Sequence, residues 1–169
     1  MAVPRKKKPK RRAKPSVTVD DFRDDPMYPR VVRATAHLLA KGKVVAPVDV
    51  IVHMGVLQPK RLEEWRRGSV PYLERVIDKN LSSLSRLLRI LRFHAHDMNL
   101  QPSLTAYTRS GKGPKQPLRF TKTGDPQLER AYATHLVWPG KGPFHAPRSQ
   151  SEGEAGRGER SEGALDDEG

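Results

Sequence analysis

The chain has 169 residues, with 32 Lys plus Arg against 19 Asp plus Glu, a net charge of +13; that length suits one domain, or one domain with tails. It has no cysteine, which removes disulfides, thiolate zinc sites, iron–sulfur clusters and thiol nucleophiles and fits a reducing compartment. Its apolar runs fall far short of the ~20 residues of a membrane span, and no apolar stretch follows the basic N-terminus as it would in a secretory signal.

Residues 1–16 carry Arg5, Lys6, Lys7, Lys8, Lys10, Arg11, Arg12 and Lys14 and no acid. Such a run of Lys, Arg and Pro buries too little apolar surface to offset its ordering entropy, so a disordered basic arm is expected. Residues 140–169 hold four basic and seven acidic residues among Gly and Ser, which predicts a disordered acidic tail. One folded domain is therefore expected at 17–139, and it keeps +8 of the net charge.

Within that domain, 20–29 is acidic with two prolines and reads as a lead-in loop. A helix is expected over 30–41, with Val31, Ala34 and Leu38 on one face and Gly42 as its stop. Val44 and Val45 cross over. Pro47 suits a first helical position, so 48–54 reads as a short helix ending at Gly55; its Val and Ile content keeps a strand open. Pro59 opens another short helix to Arg67, stopped by Gly68, and Ser69 with Pro71 starts a further one. Over 81–98, Leu81, Leu84, Leu87, Leu88, Leu91, Ala95 and Met98 share an arc of about 120°. Ser82, Ser85, Arg86, Arg89, Arg92 and His96 lie opposite. The period then changes to alternation, which predicts a β-hairpin with arms 103–109 and 117–122 around a glycine-containing loop. Asp125 is the expected N-cap of a last helix, from Gln127 to about His135, that buries Leu128, Ala131 and Tyr132. The fold class expected is mainly α (α+β): a small helical domain with a helix-turn-helix-like segment, one long amphipathic helix, a β-hairpin and disordered tails.

The charge pattern points to nucleic acid. Lys and Arg neutralise phosphates and release counterions without reading sequence, and the 1–16 arm suits that role. The stretch 47–67 is similar to a helix-turn-helix: two short helices meet at Gly55, and Val50, Ile51, Met54 and Val56 occupy positions such motifs fill with apolar residues. Leu62 and Trp65 fall one position late, which a turn one residue longer corrects; the bland alternative is ordinary packing with Trp65 as a core plug. On the motif reading, Lys60, Arg61, Arg66 and Arg67 flank the groove-facing helix. Arg86, Arg89 and Arg92, spaced by three, form a stripe suited to a phosphate backbone, or simply a solvated face. The hairpin adds Arg109, Lys112 and Lys115 at its tip and Arg119 on its second arm, with Gly111 and Gly113 allowing close backbone approach. Gly111-Lys112-Gly113 lacks the Gly-Lys-Ser/Thr ending and following helix of a phosphate-cradling loop.

Chemistry-bearing alternatives are thinner. His94, His96 and Asp97, with His37 or His53 upstream and Asp125 downstream, resemble the metal ligands of HD-type phosphohydrolases. Two positions on a helix separate His94 from His96 by about 200°, so the two cannot share a metal. Asp20, Asp21, Asp24 and Asp25 form an acidic cluster that is expected to fold back on the basic body. The expected function is therefore non-enzymatic nucleic-acid binding, DNA before RNA, without cofactor or metal. The location expected is cytoplasmic, nucleoid-associated in a bacterium and nuclear in a eukaryote. The alternatives are a protein–protein adaptor using the 81–98 helix and acidic tail, and a small metal-dependent hydrolase.

Overall fold

A computed structural model describes residues 16–142 and 144. The basic arm's Arg5, Lys6, Lys7, Lys8, Lys10, Arg11, Arg12 and Lys14, and most of the acidic tail, lie outside the described residues. The body is α+β, with five α-helices and a three-stranded antiparallel sheet in the order β1-β3-β2.

The expected lead-in loop contains a single 3-10 turn, Phe22–Asp24, which buries Phe22. Helix α1, Tyr28–Lys41, has Pro29 in its first turn and buries Val31, Ala34, Thr35 and Leu39, one helical stripe. Strand β1, Val44–Val45, follows. The Val- and Ile-rich segment after it is helical: α2 spans Pro47–His53 and buries Pro47, Val48, Val50 and Ile51. Pro47 presets the helical φ at a position whose N–H is unused. Burial of more than one stripe explains the Val and Ile content, which here marks a helix sunk in the core.

Helix α3, Pro59–Arg66, turns Leu62 and Trp65 inward. Between α2 and α3 the chain reverses through Gly55 at φ 73°, the left-handed conformation that favours glycine. The helix expected after Pro71 is reduced to a 3-10 turn, Leu73–Val76. Its first N–H groups are taken elsewhere: Leu73 N–H donates to Arg119 O at 3.1 Å and Glu74 N–H to Phe120 O at 2.9 Å. Helix α4, Leu81–Asp97, is capped by the Asn80 side chain, which accepts from Ser83 N–H. It buries Leu84, Leu87, Leu88, Leu91 and Ala95 as expected, whereas Leu81 at its first turn is exposed.

Strand β2, Gln101–Leu104, comes next. The expected arms 103–109 and 117–122 do not form as full strands, because Ser103 and Leu104 are taken by β2 and pair with β3. What remains is a narrow ribbon in which Thr108 bridges Pro117, Arg109 N–H donates to Gln116 O, and Leu118 N–H to Tyr107 O. Asp125 caps α5, Pro126–Ala133, accepting from the N–H groups of Gln127 and Leu128. The expected last turn of that helix is instead β3, Thr134–Val137, which pairs with β1 on one side and β2 on the other. The core joins these layers through a cluster of Trp65, Tyr107, Phe120 and Tyr132, in which Phe120 and Tyr132 stack at 5.2 Å.

Candidate nucleic-acid interface

With Leu62 and Trp65 inside, α3 turns Lys60, Arg61, Glu63, Glu64 and Arg66 outward. Arg61 pairs with Glu64 at 3.0 Å and Arg66 with Glu63 at 3.2 Å. Exposed pairs of this kind contribute only about 0.3–0.5 kcal/mol, so both cations stay available to a stronger anion. The last carbonyls of a helix have no partner within it, and here the hairpin supplies one. Arg66 O accepts from Ser110 N–H at 2.8 Å and from Ser110 Oγ at 3.1 Å, and Arg67 O accepts from Arg109 Nε at 2.9 Å. The chain leaves α3 through Gly68 at φ 79°, against which the Arg109 side chain lies.

These bonds clamp the hairpin to the negative end of the α3 dipole and bring Arg66, Arg67 and Arg109 together. Beyond them the tip, 110–116, is exposed throughout and carries Lys112 and Lys115, with Gly111 at φ 109° and Gly113 at φ 120°. Residues 98–124 contain no carboxylate. Arg119 holds the ribbon's second arm: its carbonyl accepts from Trp65 Nε1 at 2.7 Å, and its guanidinium donates to Lys122 O at 2.8 Å.

The α4 stripe divides. A spacing of three residues drifts by about 60° per step on an α-helix, so Arg86 and Arg92 face about 120° apart. Arg86 is ion-paired with Asp25, whose carboxylate is buried, and Arg89 donates to Val17 O at 3.4 Å. The acidic lead-in thus lies along this flank of α4, with Arg23 on Asp97 and Phe22 against Phe93. Arg92, on the other flank, lines a groove beside α5.

The titratable groups are spread out. His94 is buried and held below the usual imidazole range by desolvation, with Arg23 adding to the effect and Asp97 opposing it; His96 is exposed. The exposed rings of His37 and His53 lie 4.5 Å apart, tilted by 43°. Among the described residues, no three His, Asp or Glu come close enough to hold a metal ion.

Two groupings are invisible to local spacing. Lys41 and Lys43, at the junction of α1 and β1, and Lys141, beyond β3, line a shallow cavity of about 360 Å³. Tyr107 Oη and His135 Nε2 share a 2.6 Å hydrogen bond under the hairpin. Burial pushes the Tyr107 phenol up to about 12, with Asp49 adding to it, and lowers His135. The phenol therefore keeps its proton near neutral pH.

No helix among the described residues is long and apolar enough to cross a membrane. Compared with known proteins, the chain matches no family model, no curated relative and no solved structure.

Proposed function

We propose that this chain is a non-enzymatic nucleic-acid-binding protein that holds duplex DNA through its backbone phosphates. The observation that carries this reading is the clamp between α3 and the hairpin. It fixes Arg109 against the α3 C-terminus that carries Arg66 and Arg67, and extends Lys112 and Lys115 on an exposed, acid-free tip. A short helix with a basic arm fixed beside it suits a groove and its flanking phosphates. The aromatic side chains near this face pack inward, Tyr107 on Trp65 and Phe120, which argues against a stacking platform for single strands. The 1–16 arm adds affinity without selectivity. Location on the nucleoid of a bacterium, or in the nucleus of a eukaryote, follows from the same reading.

The test is fluorescence anisotropy of the full chain with labelled duplex DNA, single-stranded DNA and structured RNA at near-physiological salt. Duplex DNA is expected to bind tightest. Replacing Lys112 and Lys115 with Ala should flatten the slope of log K against log salt by about 0.9 per lost phosphate contact. An unchanged slope, with no preference among the three ligands, rejects the reading and turns the search to protein partners.

A further inference from the structure

We infer that the groove between α4 and α5 binds an apolar organic anion: a hydrocarbon or aromatic body of drug-like size that carries a single carboxylate or sulfonate. This goes beyond nucleic-acid binding, because a phosphate backbone has nothing to place in an apolar cavity. The groove encloses about 560 Å³, inside the ~300–1,000 Å³ range of small-molecule sites. Its floor is hydrocarbon: Leu88, Leu91 and Ala95 from α4, Leu100 and Leu136 at the sheet, and Ala131 from α5. Its fixed charges, Arg92 and Arg130, are of one sign. Arg92 and His96, one turn apart on α4, face Arg130 of α5 across the groove, and no carboxylate lines it.

Among the described residues neither guanidinium is neutralised by a carboxylate, and Arg92 lies over the Phe93 ring at 5.5 Å. Arg23, Arg61, Arg66 and Arg86 each pair with a carboxylate, whereas among the described residues neither Arg92 nor Arg130 forms an ion pair. Asp97, next to His96 in sequence, is already bonded to Arg23. A guanidinium at the edge of a low-dielectric cavity favours a planar carboxylate or a sulfonate, which it meets with two N–H donors. Apart from Gln127, Thr134 and His96 the remaining lining is apolar, so most of the rest of the ligand is apolar. A free phosphate would leave that floor unfilled, and a neutral hydrocarbon would leave the cations unused.

The probe is 8-anilinonaphthalene-1-sulfonate, an aromatic anion that fluoresces in apolar surroundings, titrated into the full chain. Its neutral analogue N-phenyl-1-naphthylamine serves as comparison. The expected result is one saturable anion site. The R92E/R130E double variant should weaken it about tenfold, as two ion pairs become repulsions, and should leave the neutral probe bound. An R33E/R75E variant makes the same change in net charge on exposed residues away from the groove, and it should shift the affinity less than about twofold if the site is local. A131W fills the groove from α5 and should exclude both probes, with circular dichroism reporting that each variant is folded. Equal weakening by the two charge-reversed pairs overturns the proposal in favour of general attraction to a basic protein. A wild-type chain that never saturates, or an A131W chain that is folded and still binds, overturns it as well.

Discussion

The Asp25 carboxylate is 2% exposed and its partner Arg86 is 26% exposed. A buried carboxylate is tolerated only while it is paired and hydrogen-bonded, and Asp25 also accepts Met27 N–H at 2.8 Å. Removing Arg86 strands that charge. Arg86→Ala is therefore expected to lower the unfolding free energy by about 3 kcal/mol, and Asp25→Ala by about 2, because Arg86 can still reach water. Urea denaturation measures both, and a cost below 0.5 kcal/mol would remove the pair from the fold's support. The sequence exposed each of these residues but not their pairing, since helix spacing rules reach three or four positions and these lie 61 apart. The histidines make a second prediction. Burial lowers both His94 and His135 in the folded state, so the unfolded chain binds more protons there. Their contribution is complete above the ordinary imidazole value of about 6.5 and is lost as pH falls through the lowered folded values. Tm should drop between pH 7 and pH 5, and the drop should be smaller in His94→Gln and His135→Gln; an unaltered profile in both variants refutes the assignment.

Elements were legible where one signal dominated. The stripe of α4 spans five turns, and Asp125-Pro126 joins a capping side chain to a residue preset for a first turn, so both helices read directly. What stayed hidden was decided by distant pairing. Thr134–Val137 is too short for its period to tell strand from helix; it becomes the central strand because β1 and β2, remote in sequence, hydrogen-bond to its two edges. The 3-10 turn at Leu73–Val76 yields its N–H groups to the hairpin's second arm for the same reason. The α3–hairpin clamp is likewise a long-range product, and Gly68 is its hinge. Gly68 sits at φ 79°, and a Cβ there would come within 3.0 Å of the Arg109 side chain. Gly68→Ala should cost about 1–2 kcal/mol through backbone strain and push Arg109 off the Arg67 carbonyl. Gly42→Ala is the control: its φ is −166° and its Cβ would meet open space, so its cost should stay within about 0.5 kcal/mol. Equal costs for the two would mean that the clamp does not depend on that hinge.

At the scale of the whole molecule the cations fall into two kinds. Those at 5–14 sit in a run without carboxylates and next to a body that is itself +8. Those of the body are sorted by the fold: Arg86 is consumed by Asp25, Arg61 and Arg66 are shared with neighbouring glutamates, and Lys112 and Lys115 have no acid within the acid-free 98–124 stretch. Affinity and discrimination should therefore separate. On the proposed nucleic-acid-binding function, an arm of eight cations would act through counterion release, which is blind to the form of nucleic acid, whereas a clamped helix and hairpin would present a geometry that a matching groove can meet. Deleting residues 1–15 should lower affinity for duplex DNA, single-stranded DNA and structured RNA by similar factors and flatten every salt slope, by up to about 7 for duplex DNA and about 6 for single strands if all eight cations contact phosphates. The ratio of duplex to single-strand affinity should survive the deletion. It should instead fall in a full-length chain carrying Arg109→Ala, Lys112→Ala and Lys115→Ala. The opposite pattern, with the ratio lost on deleting the arm and kept in the hairpin variant, would move recognition out of the folded body and leave the clamp a purely structural device.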